Sequence, residues 1–273
     1  MVAPTPESYL KHLQDKFKTM LKVNMHKILL LLSLFIPALL QAQTQEIETN
    51  DGTLTIEPIL HASMVMDWDG LTIYVDPYGG GAKYEGMEDP DLVIITDIHG
   101  DHLNKETLNE LNTTSAKIIA PKAVTDQLTD KFESEMIHSM ANGDKTTWEG
   151  IGIEAIPMYN LPETEDSRHP KGRGNGYVLT IGGKRIYISG DTEDIPEMRK
   201  LKNIDVAFVC MNLPYTMDVN QAADAVLAFK PKVVYPFHYR GGEGKFSDVK
   251  EFKDLVNSKN KKIEVRLLEW YPQ

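Results

Sequence analysis

One cysteine, Cys210, serves the whole 273-residue chain. An intramolecular disulfide is therefore excluded, and the surrounding apolar run VAFVC (206–210) makes Cys210 a small core residue, neither ligand nor nucleophile. Basic excess is lacking too: 29 Lys+Arg stand against 40 Asp+Glu, a net charge of −11. A chain that grips nucleic-acid phosphates needs the opposite balance, so no nucleic-acid partner is expected. Long apolar runs are equally scarce. The run Ile28 to Leu40 is 13 residues with Pro37 inside it, short for a membrane span. Preceded by His26 and Lys27 and followed by Ala42, it has the anatomy of a secretory signal.

These features divide the chain into three parts. Residues 25–42 are expected to act as a signal peptide cut after Ala42, giving a secreted or periplasmic protein with no stable membrane span. Residues 1–24 carry an apolar helical stripe (Tyr9, Leu10, Leu13, Phe17, Met20, Leu21), but a leader ahead of a signal peptide is unusual, and we take Met25 as the true start. Residues 43–273 then form a single domain. Removing residues 1–42, with five lysines, one glutamate and one aspartate, makes the remainder more acidic still, 24 basic against 38 acidic groups.

From residue 53 the pattern settles into strands and helices. TLTIEPIL, ASMVMDW and LTIYVDP, separated by turn residues, predict an antiparallel meander. DLVIIT (91–96) is a buried strand, Asn104 caps a helix KETLNELN, AKIIAP is a strand, and a helix follows Pro121. The second half alternates strand and helix in the same way. It opens with a hairpin GYVLTIGGKRIYISGD (176–191) turning at Gly182-Gly183, then a short helix beginning at Pro196 and the strand DVAFVC. A helix at 219–229, the strand KVVYPFHY, a helix near 247–257 and a strand KIEVRLLEW follow. Strands come before and between helices, which favours an α+β fold of four layers, an αββα sandwich, over a doubly wound sheet.

The chemistry-bearing residues fall where strands end. TDIHGDH (96–102) places Asp97, His99, Asp101 and His102 behind one strand, SGDT places Asp191 behind another, and YPFH places His238 behind a third. Rigid sheets holding loops at strand ends are where sites are normally built. Asp97 and His99, two apart in extended chain, point the same way. After the turn at Gly100, Asp101 and His102 can address a second ion. Two divalent ions held ~3.5–4 Å apart and bridged by water form a hydrolytic device.

This order of motifs resembles the metallo-β-lactamase superfamily, whose signature is HxHxDH, a later His, a bridging Asp and a final His. HAS (61–63), YVDP (74–77), GYVLTIGGKRIYISGDT and PYTMDVNQAADAV resemble its ascorbate-phosphate-lactonase-like and N-acylphosphatidylethanolamine phospholipase D-like branch, over about residues 54–268. The resemblance implies a metal-dependent hydrolase in which a hydroxide bridging two ions attacks an ester, lactone or phosphodiester. It implies zinc as the metal, and Asp101 and Asp191 as catalytic groups as well as ligands. Two positions depart from the pattern. Asp97 replaces the first histidine, and the usual third histidine is missing where Tyr159 and Asn160 stand. His169 is expected to close the first site with Asp97 and His99. A carboxylate at 97 is a harder donor than imidazole, which widens the choice of metal to manganese or iron.

His61, Tyr159, Asn160 and Tyr215 are expected to contact substrate. The basic, glycine-rich KGRG (171–174) and Arg240-Gly241-Gly242 point to a small anionic substrate. His138 has no motif around it and reads as structural. The alternative to an enzyme is an exported metal- or ligand-binding module whose first site is degenerate and non-catalytic. Spacing fixes neither the bond attacked nor the oligomeric state.

Overall fold

The computed structural model describes residues 44–164 and 166–271. The leader (1–24) and signal segment (25–42) expected above lie outside these residues. Two seven-stranded sheets are built in chain order. The first holds β1 (Gln45–Thr49), β2 (Gly52–Leu60), β3 (Ser63–Trp68), β4 (Leu71–Val75), β5 (Leu92–Ile94), β6 (Lys117–Ala120) and β7 (Ile137–Ser139). The second holds β8 (Lys145–Trp148), β9 (Ile151–Met158), β10 (Gly174–Ile181), β11 (Lys184–Ile188), β12 (Val206–Cys210), β13 (Val233–Phe237) and β14 (Glu264–Val265). Each sheet begins with three antiparallel pairings and ends with three parallel ones. The chain thus builds the same pairing pattern twice.

Side-chain alternation explains the layering. Met64, Met66, Ile73, Val75, Leu92 and Ile94 point into a core shared with Ile151, Ile153, Ile186 and Ile188 of the other sheet. The intervening Val65, Tyr74, Val93 and Ile95 point the other way, to a second cluster with Leu108, Val124 and Leu128. Strands buried on both faces read as nearly unbroken apolar runs, as these do. Each large side chain sealed in this way contributes about 1.5–3 kcal/mol. On the outer face of the first sheet lie α1 (Lys105–Glu110) and α2 (Lys122–Thr125). After α3 (Pro196–Arg199), α4 (Val219–Phe229) and α5 (Val249–Lys259) cover the second with Ala222, Val226, Phe252 and Val256. The fold is the four-layer α+β sandwich expected.

Local chemistry sets the boundaries. Asn104 caps α1 by accepting from the Thr107 N–H at 2.8 Å, and Asp218 closes a capping box with Gln221 at the start of α4. The expected meander is present as β2–β3–β4, with β1 added at its edge, a strand the sequence did not reveal. The expected C-terminal strand shrinks to Glu264–Val265, because beyond it the chain leaves the sheet edge to bury Trp270. His138 sits on β7, paired opposite Ile119. Among the described residues, no helix is long and apolar enough to cross a membrane.

Candidate metal centre

The loop after β5 turns sharply, with the N–H groups of His102 and Leu103 both donating to the His99 carbonyl at 2.9 and 2.8 Å. Asn104 pins this turn from outside by donating Nδ2–H to the Gly100 carbonyl. The second sheet meets it through the Asn175 N–H, which donates to the Thr96 carbonyl at 3.0 Å. Gly174 permits this meeting, since a Cβ there would lie 3.0 Å from the Thr96 carbonyl oxygen. Opposite, the His238 N–H donates to the His61 carbonyl, and both residues hold positive φ, 47° and 63°. Such backbone costs on the order of 1–3 kcal/mol per residue and gathers where function demands a fixed side-chain direction.

Three groups of donors result, each with its ligand atoms within 4.8 Å of one another. Asp97, His99 and His169 form the first, His102, Asp191 and His238 the second, and His61, Asp101 and His238 the third. All seven residues expected to hold metal are therefore brought together, with His61 beside them. Asp191 joins the groups: its Oδ2 lies 3.2 Å from His169 Nε2 and 3.5 Å from His102 Nε2, and its Oδ1 lies 3.2 Å from His238 Nε2.

Whether these residues suit a cation can be read from their unmet needs. His102 Nε2 and His238 Nε2 face each other at 3.1 Å in a site closed to solvent. His99 Nδ1 lies 2.6 Å from Asp97 Oδ2, yet it lacks hydrogen-bond geometry. His169 Nε2 and Asp191 Oδ1 are likewise buried without a hydrogen-bond partner. Ring nitrogens and carboxylate oxygens crowded onto shared points, several of them without a hydrogen-bond partner, are what a divalent cation requires. The residues fit metal.

Outer partners aim the ligands. His102 Nδ1 lies 2.8 Å from Asp76 Oδ2, so a ring proton there leaves Nε2 free to ligate. Asp76 is itself fixed by the Thr96 N–H and hydroxyl, at 2.7 and 2.6 Å. Asn160 Oδ1 lies 3.1 Å from His169 Nδ1 and accepts from the His169 N–H at 2.8 Å, turning Nε2 inward. His61 is held between Tyr271 Oη, 2.7 Å from Nδ1, and Asp101 Oδ2, 3.2 Å from Nε2. Sequence reasoning gave no role to Asp76 or Tyr271, and it placed Arg173 in a loop for a substrate anion, not beside Asp97. The motif YVDP contained the first; the others are ordinary residues until the fold pairs them.

The substrate-facing expectations divide. Tyr159 is 1% exposed and gives its hydroxyl to Glu197 at 2.9 Å, so it packs and does not face the site. Asn160 orients His169 and donates to the Tyr215 carbonyl, an aiming role in place of the expected substrate contact. Tyr215 lies half-exposed beneath the Arg168 guanidinium. The KGRG loop is not open to an anion either. Lys171 pairs with Glu163 and Glu197, and Arg173 pairs with Asp97. Cys210 is a core residue whose thiol burial pushes up to about 11, bonded to the Thr192 carbonyl.

The charges are consistent with ligation. Burial would raise Asp97, but His99, His102 and Arg173 hold it down to about 2. Asp191 is driven well below the carboxylate range, the effect of burial being outweighed by His238 and His102. His238 is held down to about 3, chiefly by burial, so its ring is neutral at ordinary pH.

Comparisons agree with this geometry. Residues 55–238 match the family model described as a beta-lactamase superfamily domain. A Pyrococcus abyssi protein described as a UPF0173 metal-dependent hydrolase is 32% identical over 200 residues, 70% of this chain and 87% of its own. A solved structure from Parabacteroides distasonis is 39% identical, with a TM-score of 0.74, covering 84% of this chain and 99% of that one. Igni18, a metallo hydrolase from Ignicoccus hospitalis, is 27% identical with a TM-score of 0.68, covering 80% of this chain and 96% of its own.

Proposed function

Because the chain belongs to the metallo-β-lactamase superfamily, we propose that it is a metal-dependent hydrolase holding two divalent ions, zinc foremost and manganese or iron as alternatives. Its substrate is a small anionic ester, lactone or phosphodiester. The observation that carries this reading is the convergence of three donor groups, two of them sharing His238 and the first reached by Asp191 through His169, around buried donor atoms without hydrogen-bond partners.

Asp97, His99 and His169 would hold the first ion, and Asp101, His102, Asp191 and His238 the second. Bound there, the ions supply Lewis acidity toward the attacked oxygen and make water acidic enough to act near neutral pH. The chain's own groups do the rest. Asp191, reaching both clusters, fixes their separation. Asp101 Oδ2 accepts a hydrogen bond from the entering water and orients it. The proton that the attacking water loses passes to Asp101 Oδ2, and His61 Nε2, 3.2 Å from that oxygen, relays it to the leaving group, while Tyr271 keeps its ring in place. Arg168 over Tyr215 and Arg240 over Tyr271, at 4.4 and 5.0 Å, are the cations that would meet a substrate anion. Each of those tyrosines bonds a residue that touches the donor cluster, Asn160 or His61.

The test is elemental analysis of the purified protein followed by a panel of lactones, phosphodiesters and β-lactams with and without chelator. Metal near two ions per chain, with hydrolysis lost on chelation and in Asp191→Asn, supports the reading. A protein that retains no metal sinks it in favour of a non-catalytic binding module. We further propose export directed by residues 25–42; sequencing the mature N-terminus checks it, and a retained Met1 would end it.

A further inference from the structure

The arginine of the KGRG loop stands where the centre departs from its family's pattern. Arg173 lies just ahead of β10 and reaches back to Asp97 with two N–H groups. Its Nε lies 3.3 Å from Oδ1 and its Nη2 lies 3.3 Å from Oδ2. The same Nη2 lies 3.5 Å from His99 Nε2 and is steadied by the Arg168 carbonyl at 2.6 Å. The guanidinium therefore touches two of the three donors of the first group. The second group is arranged differently: the ion pairs of Asp191 run to His102, His169 and His238.

We propose that Arg173 makes the two cation sites unequal, so that the site of His102, Asp191 and His238 fills tightly and that of Asp97, His99 and His169 fills last and weakly. The inference rests on the reading of this cluster as a metal centre. Three effects act in one direction. A carboxylate with a guanidinium on both oxygens has its charge offset before any ion arrives. The fixed cation then repels a second cation brought to the same carboxylate. Finally, Arg173 approaches His99 Nε2 as a donor, which favours the tautomer carrying its proton on Nδ1, the atom facing Asp97. His99 can ligate through Nδ1 only by moving that proton to Nε2, against the guanidinium. Usual outer partners of a ligating histidine accept a proton and strengthen it as a donor. Arg173 does the reverse.

This gives Asp97 a meaning beyond substitution. With histidine at 97, Arg173 would face a neutral ring; with aspartate it finds a counter-charge, and the pair keeps the first site formed while it is empty.

The experiment is calorimetric titration of chelated, full-length protein with Zn²⁺, comparing wild type, Arg173→Gln, Arg173→Lys and Asp97→Asn. Wild type should show two binding events of different affinity. Arg173→Gln should tighten the weaker one by roughly 10- to 100-fold, the range over which outer partners tune metal sites, and leave the tighter one in place. Arg173→Lys keeps the charge without the fork and should fall between them. Asp97→Asn should abolish the weak event and leave one ion per chain, a result independent of whether the Arg173 variants fold. Two equal events in wild type, or a weak event that loosens further in Arg173→Gln, overturn the inference while leaving the metal centre intact. Failure of wild type to bind zinc at all overturns the metal reading itself.

Discussion

His102 is pressed between two carboxylates, Asp76 at Nδ1 and Asp191 at Nε2, in a position closed to solvent. Burial alone would lower its pKa, but the two carboxylates raise it well above the ordinary histidine value. In the metal-free protein the two carboxylates thus favour the imidazolium form of His102, while burial favours the neutral ring of His238. An ion entering this site must displace the His102 proton, so affinity should fall as pH drops below the His102 pKa. Loading the tight site at pH 7 in weak buffer should release about one proton per ion. Asp76→Asn removes one of the two charges that hold the proton and weakens the acceptor that aims the ring. It should release less than wild type and bind metal roughly 10- to 100-fold more weakly. Equal release and equal affinity would show that Asp76 does not govern His102. Residues such as these mark what the sequence could show. The donors announced themselves, because His and Asp at strand ends and in one tight motif have few other uses. Asp76, Arg173 and Tyr271 did not, since their roles depend on partners 26, 76 and 210 positions away.

Elements convert those partnerships into geometry, and β10 is the one on which most depends. It runs antiparallel to both β9 and β11, and it begins beside the loop that carries Asp97. Gly176 lies at the crossing of β10 with the end of β11, where a Cβ would stand 2.7 and 2.9 Å from the Ser189 and Ile188 carbonyl oxygens. Those atoms are backbone and lead directly to Asp191. Gly176→Ala should therefore cost about 1–3 kcal/mol of stability and weaken metal binding together, read by denaturant unfolding and metal titration. A stable variant with unchanged affinity would mean that the crossing has slack. The sequence displayed this hairpin plainly, through Gly182-Gly183 at its turn and alternating apolar residues, yet not the requirement at Gly176. Close approach of two strands is a tertiary fact. The same limit explains the C-terminus, where KIEVRLLEW reads as a long strand. Only two of its residues pair with β13, because Trp270 is drawn into the core and Tyr271 to His61.

At the scale of the whole molecule, two sheets of one pairing pattern face each other and place their loops at a common edge. Asp76, Asp97 and Asp191 are all buried there. Removing cations leaves that negative cluster to be balanced by imidazolium and guanidinium alone. A ligand at 100 times its Kd stabilises a fold by about 2.7 kcal/mol. For a domain of this size each kcal/mol moves the melting temperature by roughly 2–4 °C. Chelation should thus lower the melting temperature by about 5–10 °C, and zinc should restore it. The gap should also depend on pH, with a sign set by His102. Its folded pKa is raised, so its proton stabilises the metal-free fold below the unfolded value of 6.5 and that support is lost as pH climbs through the raised pKa. His238 has the opposite sign: its folded pKa is depressed, so the support it gives is complete above 6.5 and fades only as pH falls toward about 3. Above pH 6.5, then, the metal-free protein weakens through His102 while the metal-loaded protein, whose His102 already lacks the proton, does not. Thermal unfolding of chelated and zinc-loaded protein between pH 6.5 and 9 should show the difference widening with pH, and a constant or narrowing gap would mean that His102 is not the group the metal replaces.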